Sequence, residues 1–361
     1  MSSVYAYAIK FAMRNILYTM KYILFTGGGS AGHVVPNLAL MNELRYIRKL
    51  AYMGTGGIEE RLVRDAGFPF FRVDTPKLTR SFTLENFKIP FRLRRAERAA
   101  LSILETEKPD LVFSKGGFAS YPAVWAANKL QIPALTHESD LSAGLCTKLI
   151  AKKCRNVLTS FPETAEKFKN GKHTGSPMRK ELFYGDKMRA RHKYGFSGEK
   201  PVLLVLGGGS GSRALNEAVR ASLPALSDFQ ILHLCGKGNL LPDPPEGYVQ
   251  RDFEGDMGSA YAVADLVLAR AGSNTVFEIL ALKKPALFVP LARSSRGDQV
   301  ENALYFSHKG LCRMLPETNL SELVPALHEL HRDETLKTAL AVSDIGSGTP
   351  AILELIKQLT L

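Results

Sequence analysis

Histidine and acidic side chains beside glycine turns are the residues of this 361-residue chain best suited to acid–base chemistry. His33 follows a segment with four glycines in six residues, 27–32, and His137 and Glu138 follow a short apolar segment. An imidazole titrates near neutral pH, which suits a general base that takes a proton from a hydroxyl group. His33 is therefore our first candidate for a catalytic base, and His137 and Glu138 are the alternatives.

Two glycine turns each come directly after an apolar strand and before a helix. The first is Tyr22-Ile-Leu-Phe-Thr-Gly-Gly-Gly-Ser-Ala-Gly-His33, and the second, about one domain length downstream, is Pro201-Val-Leu-Leu-Val-Leu-Gly-Gly-Gly-Ser-Gly-Ser212. A glycine turn lets a ligand approach the backbone, and the free N–H groups of the following helix attract phosphate. The repeat predicts an α/β chain of two Rossmann-like domains that face each other across a cleft.

Short apolar strands alternate with helices in both halves, which is typical of parallel α/β sheets. The predicted strands lie near 22–26, 50–54, 70–73, 109–115, 132–136, 156–159, 172–174, 201–206, 230–234, 264–268 and 285–289. Residues 185–200 are polar and punctuated by glycine, which predicts a linker. We expect an N-terminal extension at 1–21, a first domain at 22–182 and a second at 183–361. The C-terminal helices, including one near 349–359, are expected to pack back on the first half.

The net charge of +12 predicts a surface that attracts polyanions, anionic lipid headgroups or phosphorylated ligands. The basic residues are scattered, and the sequence has no RNA-recognition or zinc-finger signature, so nucleic acid is the weaker interpretation and we expect no nucleic-acid partner. The four cysteines fit neither a disulfide framework nor a zinc site, which indicates a reducing cytoplasm.

Two basic and aromatic segments suggest contact with a membrane surface. In residues 1–21, charges interrupt every apolar run, so the segment predicts either an arm or start-site artefact before Met20, or an amphipathic surface anchor. Residues 77–98 interleave three phenylalanines with seven basic residues, a mixture suited to the lipid interface. The alternative for 77–98 is a solvated helix whose phenylalanines face the core.

Seven motifs in order resemble the MurG family, the enzymes that add N-acetylglucosamine to lipid I in bacterial peptidoglycan synthesis. They are Gly28-Gly-Ser-Ala-Gly-His-Val-Val-Pro36, Lys115-Gly-Gly-Phe118, His137-Glu138, Gly175-Ser-Pro-Met-Arg179, Leu206-Gly-Gly-Gly-Ser-Gly-Ser-Arg-Ala-Leu-Asn216, Arg270-Ala-Gly-Ser-Asn-Thr-Val-Phe-Glu278 and Asp298-Gln-Val-Glu-Asn-Ala303. The resemblance covers nearly the whole chain from Met20. It implies a GT-B glycosyltransferase with a lipid-acceptor, membrane-facing first domain and a nucleotide-sugar second domain.

The resemblance also implies contacts for individual residues. Around the donor and its sugar it assigns Ser30, Ala31, Gly32, Asp140, Arg179, Gly209, Ser210, Ser273, Asn274, Thr275, Glu278, Gln299 and Asn302. Asp140 stands where many members have Asn, and Gly209 stands where the family usually has serine, with Ser210 adjacent. Glu278 is the expected partner of the ribose hydroxyls, and Gln299 that of the sugar hydroxyls.

The implied chemistry is inverting transfer from UDP-N-acetylglucosamine to undecaprenyl-linked lipid I, at the cytoplasmic face of the membrane. No Asp-x-Asp occurs in the sequence, and His137 with Glu138 lacks evident further ligands, so we expect neither a metal nor a cofactor. Glycine-turn amides, helix N-termini and Arg179 are then expected to meet the diphosphate. Three alternatives remain: another lipid acceptor such as diacylglycerol, a non-enzymatic sugar-nucleotide sensor, and a basic nucleic-acid-binding protein.

Overall fold

The chain divides into two compact units in the computed structural model, which describes residues 20–76, 89–291 and 297–360. Unit 1 contains the described residues up to Ser139, then Ala143–Pro177, and the C-terminal segment from Gly348. Unit 2 contains Asp140–Ser142 and Met178–Ser347. Each unit is built on its own parallel sheet, so the predicted fold class of two α/β domains is confirmed.

Unit 1 is a seven-stranded parallel sheet with helices in its connections. Its strands are β1 (Tyr22–Thr26), β2 (Lys49–Gly54), β3 (Phe70–Arg72), β4 (Leu111–Ser114), β5 (Ala134–Glu138), β6 (Asn156–Thr159) and β7 (Gly171–His173), in the order β3-β2-β1-β4-β5-β6-β7. Its helices are α1 (Ala31–Leu44), α2 (Ile58–Asp65), α3 (Ile89–Glu107), α4 (Ser120–Lys129), α5 (Leu145–Ile150) and α6 (Pro162–Ala165). The strand order reverses between β1 and β4, whose carboxyl ends therefore form the crevice in which such sheets bind ligands.

The core of unit 1 lies on both faces of the sheet. Ile23 and Phe25 of β1 point to one face, and Tyr22 and Leu24 point to the other, as the period of two in a strand requires. Because both faces are covered, residues 22–25 of β1 are all apolar, and only Thr26 at its end is polar. A C-terminal helix of this unit, residues 349–359, buries its apolar side in the first cluster with α1.

Unit 2 is a six-stranded parallel sheet. Its strands are β8 (Val202–Leu206), β9 (Gln230–Leu234), β10 (Tyr248–Arg251), β11 (Leu266–Ala269), β12 (Ala286–Phe288) and β13 (Arg313–Met314), in the order β10-β9-β8-β11-β12-β13. Its helices are α7 (Lys187–Tyr194), α8 (Arg213–Ala221), α9 (Met257–Val263), α10 (Ser273–Ala281), α11 (Asp298–His308), α12 (Leu323–Arg332) and α13 (Glu334–Val342); the helix Thr349–Leu359 of unit 1 is α14. The order reverses between β8 and β11.

The structure differs from the sequence expectation in three places. The segment predicted as a linker contains α7, because Asp186 caps its start by accepting from the Arg189 N–H and Gly195 ends it with a φ of 70°. The amphipathic pattern after His33 predicts a helix that runs to about Lys49, but α1 ends at Leu44 because the chain has to turn before β2 begins at Lys49. Strands β10 and β13, each four residues or fewer, were not predicted.

Candidate functional site

The glycine turn that follows β1 is held tightly by its neighbours. Tyr52 Oη donates to the Gly27 carbonyl at 2.7 Å, and the Asn37 amide donates to the Thr26 carbonyl at 3.0 Å. Gly29 has a φ of 94°, and a Cβ on Gly28 would lie 2.5 Å from the Ala119 Cβ. Glycine is therefore required here both for the turn and for the close approach of neighbouring chain.

His33 lies in the first turn of α1, directly after this glycine turn. Ser30 is the N-cap residue, but its hydroxyl lies 3.0 Å from Nδ1 of His33 instead of capping a backbone N–H. When Nδ1 donates to Ser30, Nε2 carries the lone pair that a base needs. Ala31 is half-buried and Gly32 is exposed, so the turn presents a short stretch of backbone beside the imidazole.

His137 and Glu138, the alternative bases, lie at the end of β5 and are enclosed by protein. His137 is 0% exposed, its Nε2 lies 2.9 Å from the Gly175 carbonyl, and burial lowers its pKa well below the usual range. The Glu138 carboxylate accepts from the N–H groups of Ser139 and Gly144 and from the Thr147 hydroxyl. Both side chains organise the loop after β5; their proposed catalytic role stays a prediction.

A second glycine turn in unit 1 follows β4 and packs against the first. Gly116 and Gly117 have φ values of 78° and 77°, and a Cβ on Gly117 would overlap the Gly28 carbonyl. Lys115, just before them, is 3% exposed and donates to the Ser139 hydroxyl. The two turns therefore hold each other in place at the switch point of the sheet.

The glycine turn of unit 2 follows β8 and is open to solvent. Gly208, Gly209 and Ser210 are exposed. Gly211 has a φ of 76°, and a Cβ there would overlap the Cys235 carbonyl. Nothing lies within 4 Å of a Cβ on Gly209, and its φ is outside the left-handed region, so a serine fits that position.

Helix α10 begins at the end of β11 and carries most of the predicted nucleotide contacts. Ser273 is buried, while Asn274 and Thr275 are half-buried in the first turn. Glu278, one turn further on, accepts a hydrogen bond at Oε2 from the phenol of Tyr261 at 3.0 Å. Burial raises the pKa of Glu278, and the Arg179 guanidinium opposes that shift.

Arg179 belongs to the same unit as Glu278. Its Nε is buried, and among the residues that the structure describes it has no hydrogen-bond partner. A buried guanidinium N–H without a partner costs free energy, which a phosphate oxygen or ribose hydroxyl would recover. The buried Nε of Arg179, together with the electrostatic interaction of Arg179 with Glu278, is therefore the strongest sign of a polar ligand in the described part of unit 2.

The amide of Asn302 in α11 is occupied by protein. Nδ2 donates to Oδ1 of Asp140 at 3.2 Å, and Oδ1 accepts from the Leu141 N–H at 3.2 Å. Asn302 is 0% exposed, so it fixes the 140–142 segment on α11. Gln299, one turn earlier, is half-buried, and its Oε1 accepts from the Leu291 N–H at 3.0 Å.

Sequence reasoning missed two site residues, Tyr261 and Glu59. Tyr261 lies in α9 and reaches Glu278 only in the folded chain, so no local signal marks it. Glu59 lies two residues after Gly56-Gly57 in the first turn of α2, and it accepts from the Gly29 N–H at 2.6 Å. An acid that follows a glycine pair at a helix start is the signal that could have found it.

Neither a metal cluster nor a membrane span is found in the described part of the chain. No group of three or more His, Cys, Asp or Glu side chains there could hold a metal ion. Over the same residues, every helix is too short or too polar to cross a membrane. The predicted basic segment 77–98 is described only from residue 89 onward, so Phe82 and Phe87 lie outside the described residues.

Two parallel α/β units, each with a glycine turn at its switch point, define the class of proteins built from paired Rossmann-like domains. Comparison with known proteins gives the family. The model of the glycosyltransferase family 28 N-terminal domain matches residues 23–159, and that of the C-terminal domain matches residues 202–347. The chain therefore belongs to glycosyltransferase family 28.

Curated relatives match over almost the full length. The chain is 41% identical over 353 residues to the UDP-N-acetylglucosamine–N-acetylmuramyl-(pentapeptide) pyrophosphoryl-undecaprenol N-acetylglucosamine transferase of Clostridium botulinum (strain Loch Maree / Type A3), covering 94% of this chain and 100% of the relative. It is 40% identical to the transferase of the same name from Clostridium perfringens (strain SM101 / Type A), covering 93% and 98%.

A solved structure gives the same result for the fold. The crystal structure of MurG from Acinetobacter baumannii is similar with a TM-score of 0.73 at 25% sequence identity, over 94% of this chain and 99% of that one. The predicted resemblance to the MurG family and the predicted enzyme class, a glycosyltransferase, are confirmed by these matches.

Proposed function

We propose that this chain transfers N-acetylglucosamine, with inversion, from UDP-N-acetylglucosamine to undecaprenyl-pyrophosphoryl-N-acetylmuramyl-pentapeptide, lipid I. The product is lipid II of peptidoglycan synthesis. The names of the clostridial relatives support both substrates. The structural observation that carries the proposal is Glu278, which accepts from Tyr261 and interacts electrostatically with Arg179, whose buried Nε has no hydrogen-bond partner within the described ranges.

Unit 2 holds the nucleotide in this proposal. Glu278 accepts hydrogen bonds from the ribose hydroxyls, since a carboxylate can accept two in parallel. Arg179 and the backbone N–H groups in the first turn of α10, at Ser273, Asn274 and Thr275, meet the diphosphate at the positive end of the helix dipole. The exposed backbone at Gly209 and Ser210 adds further donors.

The remaining donor contacts follow from α11. Gln299 offers its amide N–H₂ to a sugar hydroxyl, because its Oε1 already accepts from Leu291. Asn302 and Asp140 support this region by their hydrogen bond to each other. Donor binding therefore depends on side chains from three separate segments of unit 2.

Unit 1 supplies the base in this proposal. His33 removes the proton of the acceptor hydroxyl as that oxygen attacks the anomeric carbon, and the bond from the anomeric carbon to the diphosphate breaks. The departing UDP carries the electron pair of that bond. Ser30 orients the ring through Nδ1, so Nε2 is the nitrogen that takes the proton. We assign Ala31 and Gly32, which precede His33 in the same turn, to contacts with the donor sugar.

Turnover with labelled UDP-N-acetylglucosamine tests this function. We expect product with lipid I and none with diacylglycerol, and His33→Ala lowers turnover by about a hundredfold or more. His192→Ala, at an exposed position of α7, is the matched control. If product formed with diacylglycerol and not with lipid I, the proposed acceptor would be wrong. If a folded His33→Ala variant turned over at the normal rate, His33 would not be the base. Donor binding without product on either acceptor would indicate a sensor.

We also propose that unit 1 docks on the anionic cytoplasmic face of the membrane. Phe91 at the start of α3 is 75% exposed and stands among the exposed Arg92, Arg94 and Arg95. Helix α5 adds exposed Leu149 beside Lys148. Apolar side chains among basic ones suit an interface where rings and aliphatic chains enter lipid and cations meet phosphate.

Vesicle co-sedimentation tests the docking. A Phe91→Ser, Leu149→Ser double variant should bind phosphatidylglycerol vesicles severalfold less than the unchanged chain, and neutral phosphatidylcholine vesicles should retain little of either. Phe253→Ser is the control, because Phe253 is 73% exposed but belongs to unit 2. Equal binding by the double variant would contradict the proposed surface, and salt-sensitive binding to duplex DNA instead of vesicles would favour the nucleic-acid alternative.

A further inference from the structure

Glu59 is a buried carboxylate, 2% exposed, that joins α2 to the first glycine turn. Its Oε1 accepts from the Gly29 N–H at 2.6 Å and from the Thr55 hydroxyl at 3.0 Å. Its Oε2 accepts from the Thr55 N–H at 3.0 Å. Both oxygens therefore accept hydrogen bonds from protein donors. A carboxylate satisfies all of these donors because it accepts at both of its oxygen atoms.

The space around Glu59 is made by glycines. A Cβ on Gly28 would lie 2.8 Å from Oε1, and a Cβ on Gly54 would overlap Oε2. The carboxylate also lies in the first turn of α2, where the helix dipole favours negative charge. The site is thus built for a carboxylate, since a side chain on either glycine would displace it.

The contact changes what the first glycine turn can do. The Gly29 amide, which the sequence offers to a diphosphate, donates instead to Glu59. A carboxylate directly behind the turn also disfavours a second anion there. The bond fixes the residue that immediately precedes Ser30, and Ser30 contacts the imidazole of His33.

We infer that Glu59 is a positioning residue for the transfer reaction: it locks the turn at Gly29, and through Ser30 it sets the orientation and tautomer of His33. This inference rests on the proposed role of His33. Diphosphate binding then falls to unit 2, and the first turn serves to aim the base.

Glu59→Gln tests the inference with little change of shape. A glutamine places an N–H₂ group where one carboxylate oxygen was, facing the Gly29 N–H or a Thr55 donor. Two hydrogen-bond donors then face each other, and that hydrogen bond is lost. We expect kcat to fall by about tenfold to a hundredfold, since small displacements of a catalytic group carry such costs. The KM for UDP-N-acetylglucosamine should stay within about twofold, because the donor is bound by unit 2. Glu60→Gln is the matched control, as Glu60 pairs with Arg64 at the surface of α2.

A spectroscopic readout separates this inference from the base assignment. The ring ¹⁵N shifts of His33, identified by their loss in His33→Gln, report the tautomer, and Glu59→Gln should change the tautomer ratio whether or not His33 is the base. The inference would be overturned if Glu59→Gln left both kcat and the His33 ring ¹⁵N shifts unchanged. It would also be overturned if the variant raised the KM for UDP-N-acetylglucosamine and lowered kcat while the ¹⁵N shifts stayed unchanged. If Glu59→Gln fails to fold, Thr55→Val serves as the test, since it removes the hydroxyl that donates to the same carboxylate. Thr55→Val should then lower kcat and change the ¹⁵N shifts, whereas Thr55→Ser, which keeps the hydroxyl, should leave both as in the unchanged chain.

Discussion

The phenol of Tyr261 donates a hydrogen bond to Oε2 of Glu278 at 3.0 Å, and both side chains lie inside unit 2. Tyr261 is 1% exposed, and burial raises its pKa well above the usual range, so it stays a donor. The bond fixes the plane of the Glu278 carboxyl group. The carboxylate is then held in one orientation before a ligand binds, which lowers the entropy cost of binding.

Donor binding should weaken on acidification at a higher pH than for an ordinary glutamate. Burial raises the pKa of Glu278 above its usual value, so the carboxylate that accepts from ribose is lost as pH falls through that raised pKa. The KM for UDP-N-acetylglucosamine, measured from about pH 8 down to pH 5, should therefore rise on the acid side. Glu278→Gln should raise the KM at neutral pH and remove this pH dependence, while Glu329→Gln, exposed on α12, should change neither.

The raised pKa of Glu278 has the opposite effect on the stability of the ligand-free protein, because its contribution is greater at low pH than at high pH. Because the folded state binds the Glu278 proton more tightly than the unfolded state does, the contribution is fully present below the ordinary glutamate pKa. It is lost as pH rises through the raised pKa. A donor KM that does not change between pH 8 and 5 in the unchanged chain would contradict the ribose assignment.

Asn302→Ala should destabilise unit 2 by about 1–3 kcal/mol, because it leaves the Leu141 N–H and the Asp140 carboxylate without their amide partner. Asn302→Asp should cost at least as much at neutral pH, since it keeps the acceptor for Leu141 but places a carboxylate against Asp140. Urea unfolding measures both. A normal unfolding curve together with a raised donor KM would show instead that Asn302 acts by direct contact with substrate.

A side chain introduced at Gly209 should leave the stability of the protein almost unchanged, whereas one introduced at Gly211 should lower it. Gly209→Ser meets no atom within 4 Å and needs no left-handed φ, so stability should change by less than about 0.5 kcal/mol. Its hydroxyl adds a donor to the proposed diphosphate site, and we expect a lower KM for UDP-N-acetylglucosamine. Gly211→Ala, with a φ of 76° and a Cβ that overlaps the Cys235 carbonyl, should cost about 1 kcal/mol or more. Equal stability losses in the two variants would contradict this account of the turn.

Most strands, but not β10 and β13, and the glycine turns after β1 and β8 could be predicted because their signals are local. An apolar segment such as 202–206, five residues long and followed by three glycines, favours a buried parallel strand and a turn over a helix because of its length and the flanking glycines. The capped helix at Lys187–Tyr194 was missed because its charged sequence resembles a linker, although Asp186 and Gly195 are ordinary cap signals.

The contacts that organise the site could not be predicted, because they join residues distant in sequence. Asn302 reaches Asp140 across 162 positions, and Glu59 reaches Gly29 across 30. The sequence motifs assign both Asn302 and the glycine turn at Gly29 to substrate binding. In the folded chain, however, the Asn302 amide and the Gly29 N–H form hydrogen bonds within the protein. Sequence patterns thus predicted the neighbourhood of the candidate site and left open which polar atoms remain for a ligand.

The buried His233 should make unit 2 sensitive to acid. Its Nε2 lies 3.0 Å from the Asn216 Oδ1 and its Nδ1 lies 2.8 Å from the Tyr248 Oη, and burial lowers its pKa to about 3. Because the unfolded state binds the proton more readily, stability is complete above about pH 6.5 and falls by up to about 1.4 kcal/mol per pH unit below it. Hydrogen exchange of the β9 amides at pH 7, 6 and 5, corrected for the intrinsic rate, measures this loss. His233→Gln should lower protection at pH 7 but flatten its pH dependence, whereas His192→Gln should leave the slope unchanged; equal slopes for His233→Gln and the unchanged chain would contradict the assignment.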